Sequence, residues 1–305
     1  MRVLRPLWRG LRVAEHLVTG ALICTYISLV ASAGRRPSSV PAVVRWWHGR
    51  LCRALGLRVC VSGAVVDGSL LVANHISWLD IPVLGAQAQV GFLSKAEVRG
   101  WPLVGWMSAV AGTLFIERGA NQAASVSAQI ASAIAGGRTL VIFPEGTTSD
   151  GRQVRRFHPR LFAVARQPGL RVQPVALAYR RDADAAPDLE VPFIGEQTLV
   201  ANLWRVIRHP DLVAEVRFLS PLETEDGEER KRFAARARLE IVEALGLPKE
   251  TLPTAAPLPR SSAPLVRLEG SFTPPSRLGV TPPATDRAWG MRWTPGLCRS
   301  VGRES

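Results

Sequence analysis

The sequence predicts an α/β domain, a layered mixed or mostly parallel sheet flanked by helices. An N-terminal membrane-associated helix pair precedes it and a disordered C-terminal tail follows it. Three observations predict this. Between residues 58 and 251, short apolar runs bounded by turn residues alternate with helical patterns, as layered strands and helices require. Residues 1–57 set an uncharged apolar run among arginines. From Leu252 onward Pro, Ser, Thr and Arg dominate, with no helical or strand period. The chain therefore divides into membrane-associated N-terminal helices (1–57), an α/β body (58–251) and a basic Pro-rich tail (252–305).

In the first segment, Leu17 to Ala33 carries no charge. A bilayer-spanning helix takes ~20 apolar residues, so this run is at the short end. Arg2, Arg5, Arg9 and Arg12 precede it and Arg35 and Arg36 follow, so the flanking charge favours neither orientation. The next apolar stretch interleaves Trp46, Trp47, Leu51 and Leu55 with Arg45, Arg50 and Arg53, a mixture suited to the membrane interface. The expectation is two helices that dip into or lie on the inner leaflet, with both ends cytoplasmic, at the cytoplasmic face of the cell inner membrane. Ala31-Ser32-Ala33 imitates a signal-peptide cleavage site, but the arginines directly after it hinder export.

The charge distribution supports a lipid partner. Of the formal +13, residues 1–57 hold +8 and residues 252–305 hold +4, leaving +1 on the body. A nucleic-acid enzyme concentrates positive charge around its site, which this chain does not do. Basic ends beside an apolar helix point to anionic membrane lipids and to no nucleic acid. The 47% hydrophobic content supports a sizeable core. Cys24, Cys52, Cys60 and Cys298 are scattered with no C-x-x-C spacing, so neither a zinc site nor a disulfide framework is read. No metal and no bound cofactor are expected.

Within the body, strands are expected at 57–61, 69–73, 90–93, 112–116, 139–143, 172–179 and 214–219. Helices are expected at 79–88, 100–110, 121–135, 161–167 and 228–245. Gly136-Gly137 stops the helix before it, as C-terminal glycines do. Val191-Pro192-Phe193 begins a further apolar piece.

The chemistry centres on VANHISWLDIP, residues 72–82. His75 and Asp80 are spaced H-x4-D at a strand-to-helix junction. In a straight helix five steps leave the two side chains about 140° apart. With His75 in the turn and Asp80 in the first helical turn, they can meet. The carboxylate then holds one imidazole nitrogen and leaves the other free to take a proton. The competing reading is a capping box, Ser77-Trp78-Leu79-Asp80, with Pro82 early in the helix. Three other stretches lie near strand ends, where loops converge. Gly112 to Arg118 puts an arginine past a strand. Phe143-Pro-Glu-Gly-Thr-Thr-Ser149 offers a carboxylate and exposed amides, or an ordinary type II turn. Val172-Gln-Pro-Val-Ala176 carries proline inside an apolar run.

Together these blocks resemble the glycerolipid acyltransferase superfamily, of the lysophosphatidate acyltransferase type. N-H-x4-D is matched by Asn74, His75 and Asp80, and G-x-x-F-I-x-R by Gly112, Phe115, Ile116 and Arg118. F-P-E-G-[ST] is matched by Phe143 to Thr147, and V-x-P-V by Val172, Pro174 and Val175. The resemblance covers about residues 40–220. It implies that His75 is a general base for an acceptor hydroxyl and that Asp80 orients it. The acyl group comes from an acyl thioester co-substrate, acyl-CoA or acyl-carrier protein. Asn74, Arg118, Glu145, Gly146 and Thr147 are the implied substrate-binding residues, and Lys95 is a further candidate at the site. The implied acceptor is a lysophospholipid, 1-acylglycerol-3-phosphate first. One departure opens the alternative of lyso-ornithine lipid or another lyso-lipid. Phosphatidate-making members often follow F-P-E-G-T with arginine, and here Thr148 stands there, with Arg152, Arg155 and Arg156 close behind. A serine hydrolase needs a G-x-S-x-G elbow, and Gly146-Thr-Thr-Ser149-Asp-Gly151 has one residue too many. A non-enzymatic membrane-binding protein accounts for the N-terminus but not for the four blocks.

Overall fold

The computed structural model describes residues 4–35, 37–116, 123–167, 169–181 and 186–248. The predicted tail lies outside the described residues, as do Arg118 and Glu117.

Seven strands form one mixed sheet in the order β1-β7-β6-β2-β5-β3-β4. They are β1 (Leu57–Ser62), β2 (Leu70–Ala73), β3 (Val90–Lys95), β4 (Leu114–Ile116), β5 (Thr139–Ile142), β6 (Val172–Arg180) and β7 (Leu212–Phe218). Strands β6, β2, β5, β3 and β4 run parallel, while β7 is antiparallel to β6 and parallel to β1. The parallel block brings the C-terminal ends of β2, β3, β4 and β5 to one edge.

Period-2 alternation divides the strand side chains between two cores. On one face Leu71, Ala73, Val141, Val175, Leu177 and Tyr179 pack with residues of α1 (Leu4–Ser32), α2 (Val40–Leu55), α3 (Asp80–Gln87) and α7 (Leu199–Arg208). On the other, Leu70, Val72, Leu140, Ile142 and Ala176 meet α6 (Ala123–Ala135), the 3-10 helix Pro159–Arg166 and α8 (Arg230–Ala244). Two short helices, α4 (Ala96–Arg99) and α5 (Val104–Val110), fill the β3–β4 crossover where one helix was expected.

The N-terminal helices are built into the domain. Val13 of α1 and Cys52, Ala54 and Leu55 of α2 belong to the same core as α3. Arg9 is buried, and its Nη1 donates to the carbonyls of Ile207 (3.2 Å) and His209 (2.6 Å) at the end of α7. Those carbonyls lack helical partners, so a cation there also opposes the negative end of the helix dipole. Gly56 closes α2 with φ 70°, and a Cβ there would lie 2.2 Å from Arg9 Nη2. Away from this seam, α1 exposes Leu4, Leu7, Trp8, Leu11, Val18, Leu22, Tyr26 and Leu29. By length and composition it is able to cross a membrane.

Candidate active site

His75 follows β2 and Asp80 opens α3, so the predicted turn geometry is realised. Their side chains meet at 2.7 Å, His75 Nδ1 to Asp80 Oδ2. Asp80 is wholly buried, and the His75 side chain keeps 20% of its surface exposed. A charged carboxylate can only accept, which places the proton on Nδ1 and leaves Nε2 as the acceptor. Nε2 has no partner among the described residues. The imidazole stacks on Phe143, with ring centroids 4.0 Å apart and an interplanar angle of 17°.

The cost of burying Asp80 is offset by donors. Its Oδ2 also accepts from the amides of Ile76 (2.7 Å) and Ser77 (3.1 Å). Its Oδ1 accepts from the Tyr179 hydroxyl at 2.7 Å. The expected capping box is not formed: α3 starts at Asp80 with Leu79 as its uncapped N-cap, so Asp80 reaches the Ser77 amide from the first helical position, and Ser77 Oγ finds no partner among the described residues. Tyr179 is buried, and burial first, then the Asp80 charge, pushes its phenol well above the usual range. It therefore remains a protonated donor. The sequence held one signal for it. A tyrosine in the apolar run of β6, in phase with Val175 and Leu177, must place its hydroxyl against a buried partner.

The main chain of His75 is held from both sides. Its amide donates to Glu145 Oε1 (2.8 Å), and its carbonyl accepts from the Ser149 amide (2.8 Å). Glu145 Oε2 accepts the Arg155 amide at 3.0 Å. Both carboxylate oxygens of Glu145 are therefore engaged inside the protein. Burial pushes its carboxyl up to about 7, against the lowering effect of the two amide bonds. Asn74 is also committed, its Nδ2 donating to the Leu177 carbonyl (2.9 Å) and its Oδ1 accepting the Leu177 amide (2.8 Å). Asn74 and Glu145, expected from the resemblance to hold substrate, here tie the His75 loop to β6 and to the loop after β5.

Gly146 sits beside this clamp at φ 70° and donates to the Phe143 carbonyl at 3.1 Å. Gly146 thus supplies the positive φ expected of it, and it also closes a hydrogen-bonded turn from Phe143. Thr147 is exposed on the same loop, and Thr148 Oγ1 donates to the Phe193 carbonyl. The Phe193 amide in turn donates to Ile76 (3.0 Å). The apolar piece 191–193 therefore forms no strand and braces the His75 turn instead. Trp78 Nε1 donates to Asn202 of α7 at 2.8 Å, adding a second brace. Lys95 is exposed at the end of β3, on the same edge of the sheet.

A histidine–carboxylate contact does not by itself make a site. His209 Nε2 lies 2.9 Å from Asp188 Oδ2, but both side chains are sealed, at 1% and 2% exposure, so no substrate reaches them. Among the described residues only His75 combines a carboxylate partner, an open nitrogen and the C-terminal edge of parallel strands. Among the described residues no cluster of His, Cys, Asp or Glu is arranged to hold a metal ion.

Fold and site together set a carboxylate-held imidazole at the C-terminal edge of a parallel strand block, an arrangement chemically suited to taking a proton from a hydroxyl. A family model described as Acyltransferase matches residues 58–178. The lyso-ornithine lipid O-acyltransferase of Pseudomonas aeruginosa is 42% identical over 249 residues, covering 80% of this chain and 95% of that protein. The 1-acyl-sn-glycerol-3-phosphate acyltransferase of Neisseria gonorrhoeae is 30% identical over 175 residues, covering 57% of this chain and 67% of that protein. The crystal structure of the 1-acyl-sn-glycerophosphate acyltransferase from Thermotoga maritima shares the fold, with a TM-score of 0.57 and 20% identity, over 81% of this chain and 98% of that one. The chain belongs to the acyltransferase family, and it is an O-acyltransferase of the glycerolipid type.

Proposed function

We propose that this enzyme moves a fatty acyl group from an acyl thioester to the free hydroxyl of a lyso-ornithine lipid, at the cytoplasmic face of the inner membrane. The observation that carries the reading is the open Nε2 of His75 behind a 2.7 Å contact with Asp80. His75 Nε2 takes the hydroxyl proton as the oxygen attacks the thioester carbonyl. The buried Asp80 charge stabilises the imidazolium that forms. The proton then passes to the departing thiolate of CoA or of the carrier protein. Tyr179 and the Ile76 and Ser77 amides keep Asp80 in place for this, and Glu145 and Ser149 keep the His75 main chain in place. Positioning two bulky substrates supplies much of the rate.

The acceptor assignment rests on two supports. Relatives of P. aeruginosa and Brucella abortus, 42% and 37% identical, are named lyso-ornithine lipid O-acyltransferases. Thr148 also stands where a phosphate-binding arginine is expected, with its hydroxyl turned to the Phe193 carbonyl. The second reading, 1-acylglycerol-3-phosphate as acceptor, is favoured by the N. gonorrhoeae relative and by Arg152, Arg155 and Arg156, all exposed just past the loop. Arg118 and Thr147 remain the proposed headgroup contacts. Purified protein given labelled acyl-CoA or acyl-carrier protein and a panel of lyso-lipids tests this. Label should enter ornithine lipid, and His75→Ala should abolish transfer at an unchanged melting midpoint. Label in phosphatidate alone would select the second reading, and label released as free fatty acid would refute acyl transfer to lipid.

A further inference from the structure

The β3–β4 crossover leaves the sheet on the edge that carries His75. Strands β2, β5, β3 and β4 are parallel and in register, so residues after Lys95 emerge beside the turns after Ala73 and Ile142. The crossover then presents Trp-Pro-Leu-Val-Gly-Trp, residues 101–106, to the outside. Trp101 is 45% exposed, and Leu103, Val104 and Trp106 are 37–38% exposed. Single exposed apolar residues are ordinary, but four within six positions at a catalytic edge form a patch.

Several amides of this tip are bonded from within. The amide of Gly100 donates to Glu97, Trp101 to Val98, Val104 to Pro102, Gly105 to Trp101 and Met107 to Leu103. Each internal bond lowers the cost of moving its amide into an apolar medium, where no water is there to take it. The turn is also tight. A Cβ on Gly105 would lie 2.3 Å from the Arg99 carbonyl, and Leu103 is the one described non-glycine residue at positive φ, 61°. Four large apolar side chains are thus held outward by a compact hairpin of two short helices.

The hairpin packs on α1. A Cβ on Gly20 would lie 2.4 Å from the Met107 methyl and 2.7 Å from Trp47 Nε1, so α5 seats directly against the N-terminal pair. Lys95, Glu97 and Arg99 are exposed at the base of the hairpin, giving it one net positive charge. Tryptophan at the tip with cations behind it suits the boundary between lipid headgroups and acyl chains.

We propose that residues 101–106 dip into the phospholipid bilayer beside α1. They form a third lipid contact that joins the membrane to the edge carrying His75. An acceptor lipid then reaches the imidazole along this rim without leaving the bilayer for water. The importance of the rim for turnover rests on the acyl-transfer reading, whereas its insertion can be measured without turnover.

The test uses the full chain with Cys60→Ser and Cys298→Ser, which leaves Cys24 and Cys52 buried. Leu103→Cys carries an environment-sensitive NBD dye, and Gln129→Cys, exposed on α6, serves as the water-facing control. In vesicles of phosphatidylethanolamine and phosphatidylglycerol, the dye at 103 should be blue-shifted and quenched by nitroxide-labelled lipid, and the dye at 129 should not. Trp106→Cys repeats the reading should the first variant fold poorly. Trp101→Ser/Trp106→Ser should raise the KM for vesicle-presented lyso-lipid about fivefold and leave turnover of detergent-dispersed lyso-lipid unchanged. Equal emission and quenching at 103 and 129, or an unchanged vesicle KM, would overturn the proposal. Loss of all turnover in the parent chain would count against acyl transfer and leave the dye result standing.

Discussion

Replacing Tyr179 by Phe removes a single oxygen from the sealed side of the dyad. Asp80 is wholly buried, and its Oδ1 accepts only from Tyr179 among the described residues, at 2.7 Å. Its Oδ2 is already shared by His75, Ile76 and Ser77. A hydrogen bond to a charged group contributes about 1.5–3 kcal/mol, and part of that is lost in either protonation state. A residual of ~1.4 kcal/mol corresponds to one pKa unit. The sign follows from the donor. Without it the carboxylate binds a proton more tightly, so the His75–Asp80 pair takes up its first proton at higher pH. Transfer needs that pair unprotonated. The acid limb of kcat/KM in Tyr179→Phe should therefore move up by about one pH unit. At pH values well below the limb kcat/KM should fall about tenfold, with KM for donor and acceptor within about twofold. Initial rates from pH 5 to 9, with the melting midpoint recorded for each variant, measure this. Near-isosteric 3-fluorotyrosine at 179 is a stronger donor and should move the limb downward. An acid limb that stays in place in both variants would refute the role given to the phenol.

Two further outcomes follow from buried groups. Burial holds the folded-state pKa of Glu145 at about 7, above its unfolded value, so the folded state binds the extra proton. Relative to Glu145→Gln, wild-type stability should fall as pH rises from about 4.5 through 7, by on the order of 2–3 kcal/mol, read as the difference in melting midpoint. Glu145→Gln also turns an amide toward the amide of His75 or of Arg155, and kcat should fall about tenfold. Arg9→Met leaves the Ile207 and His209 carbonyls without their donor. It should cost about 2 kcal/mol and lower the detergent melting midpoint by roughly 4–8 °C, with earlier proteolysis near α1. The exposed Arg5–Asp211 pair, at 3.8 Å, should contribute little by comparison, and Arg5→Met should shift the midpoint barely at all.

Much of the fold was legible because its strands are short apolar runs with clear turn residues at their ends. The seven expected strands all exist, with boundaries shifted by a few residues. Strand direction was not legible: nothing local to 212–218 says that β7 runs against β6, because pairing is decided across the sheet. Helix α7 was missed, although Leu199, Asn202, Leu203, Val206 and Ile207 keep helical spacing. The polar Asn202 interrupts the apolar face, and only the fold shows it bonded to Trp78. Helix α1 begins earlier than its charge-free stretch because Arg9 and His16 are buried. The dyad could be read from its spacing, while the partners of its far side come from strands about a hundred positions away and left only chemical hints.

The double clamp on the His75 peptide constrains how related enzymes can diverge. Glu145 and Ser149 sit four residues apart on one loop and hold the amide and the carbonyl of a single residue on another. Inserting or deleting one residue between them would shift the His75 main chain and move the imidazole with it. New acceptor preferences must therefore arise by exchanging side chains at fixed backbone positions such as 147, 148 and 152, and loop length there should vary far less than loop chemistry.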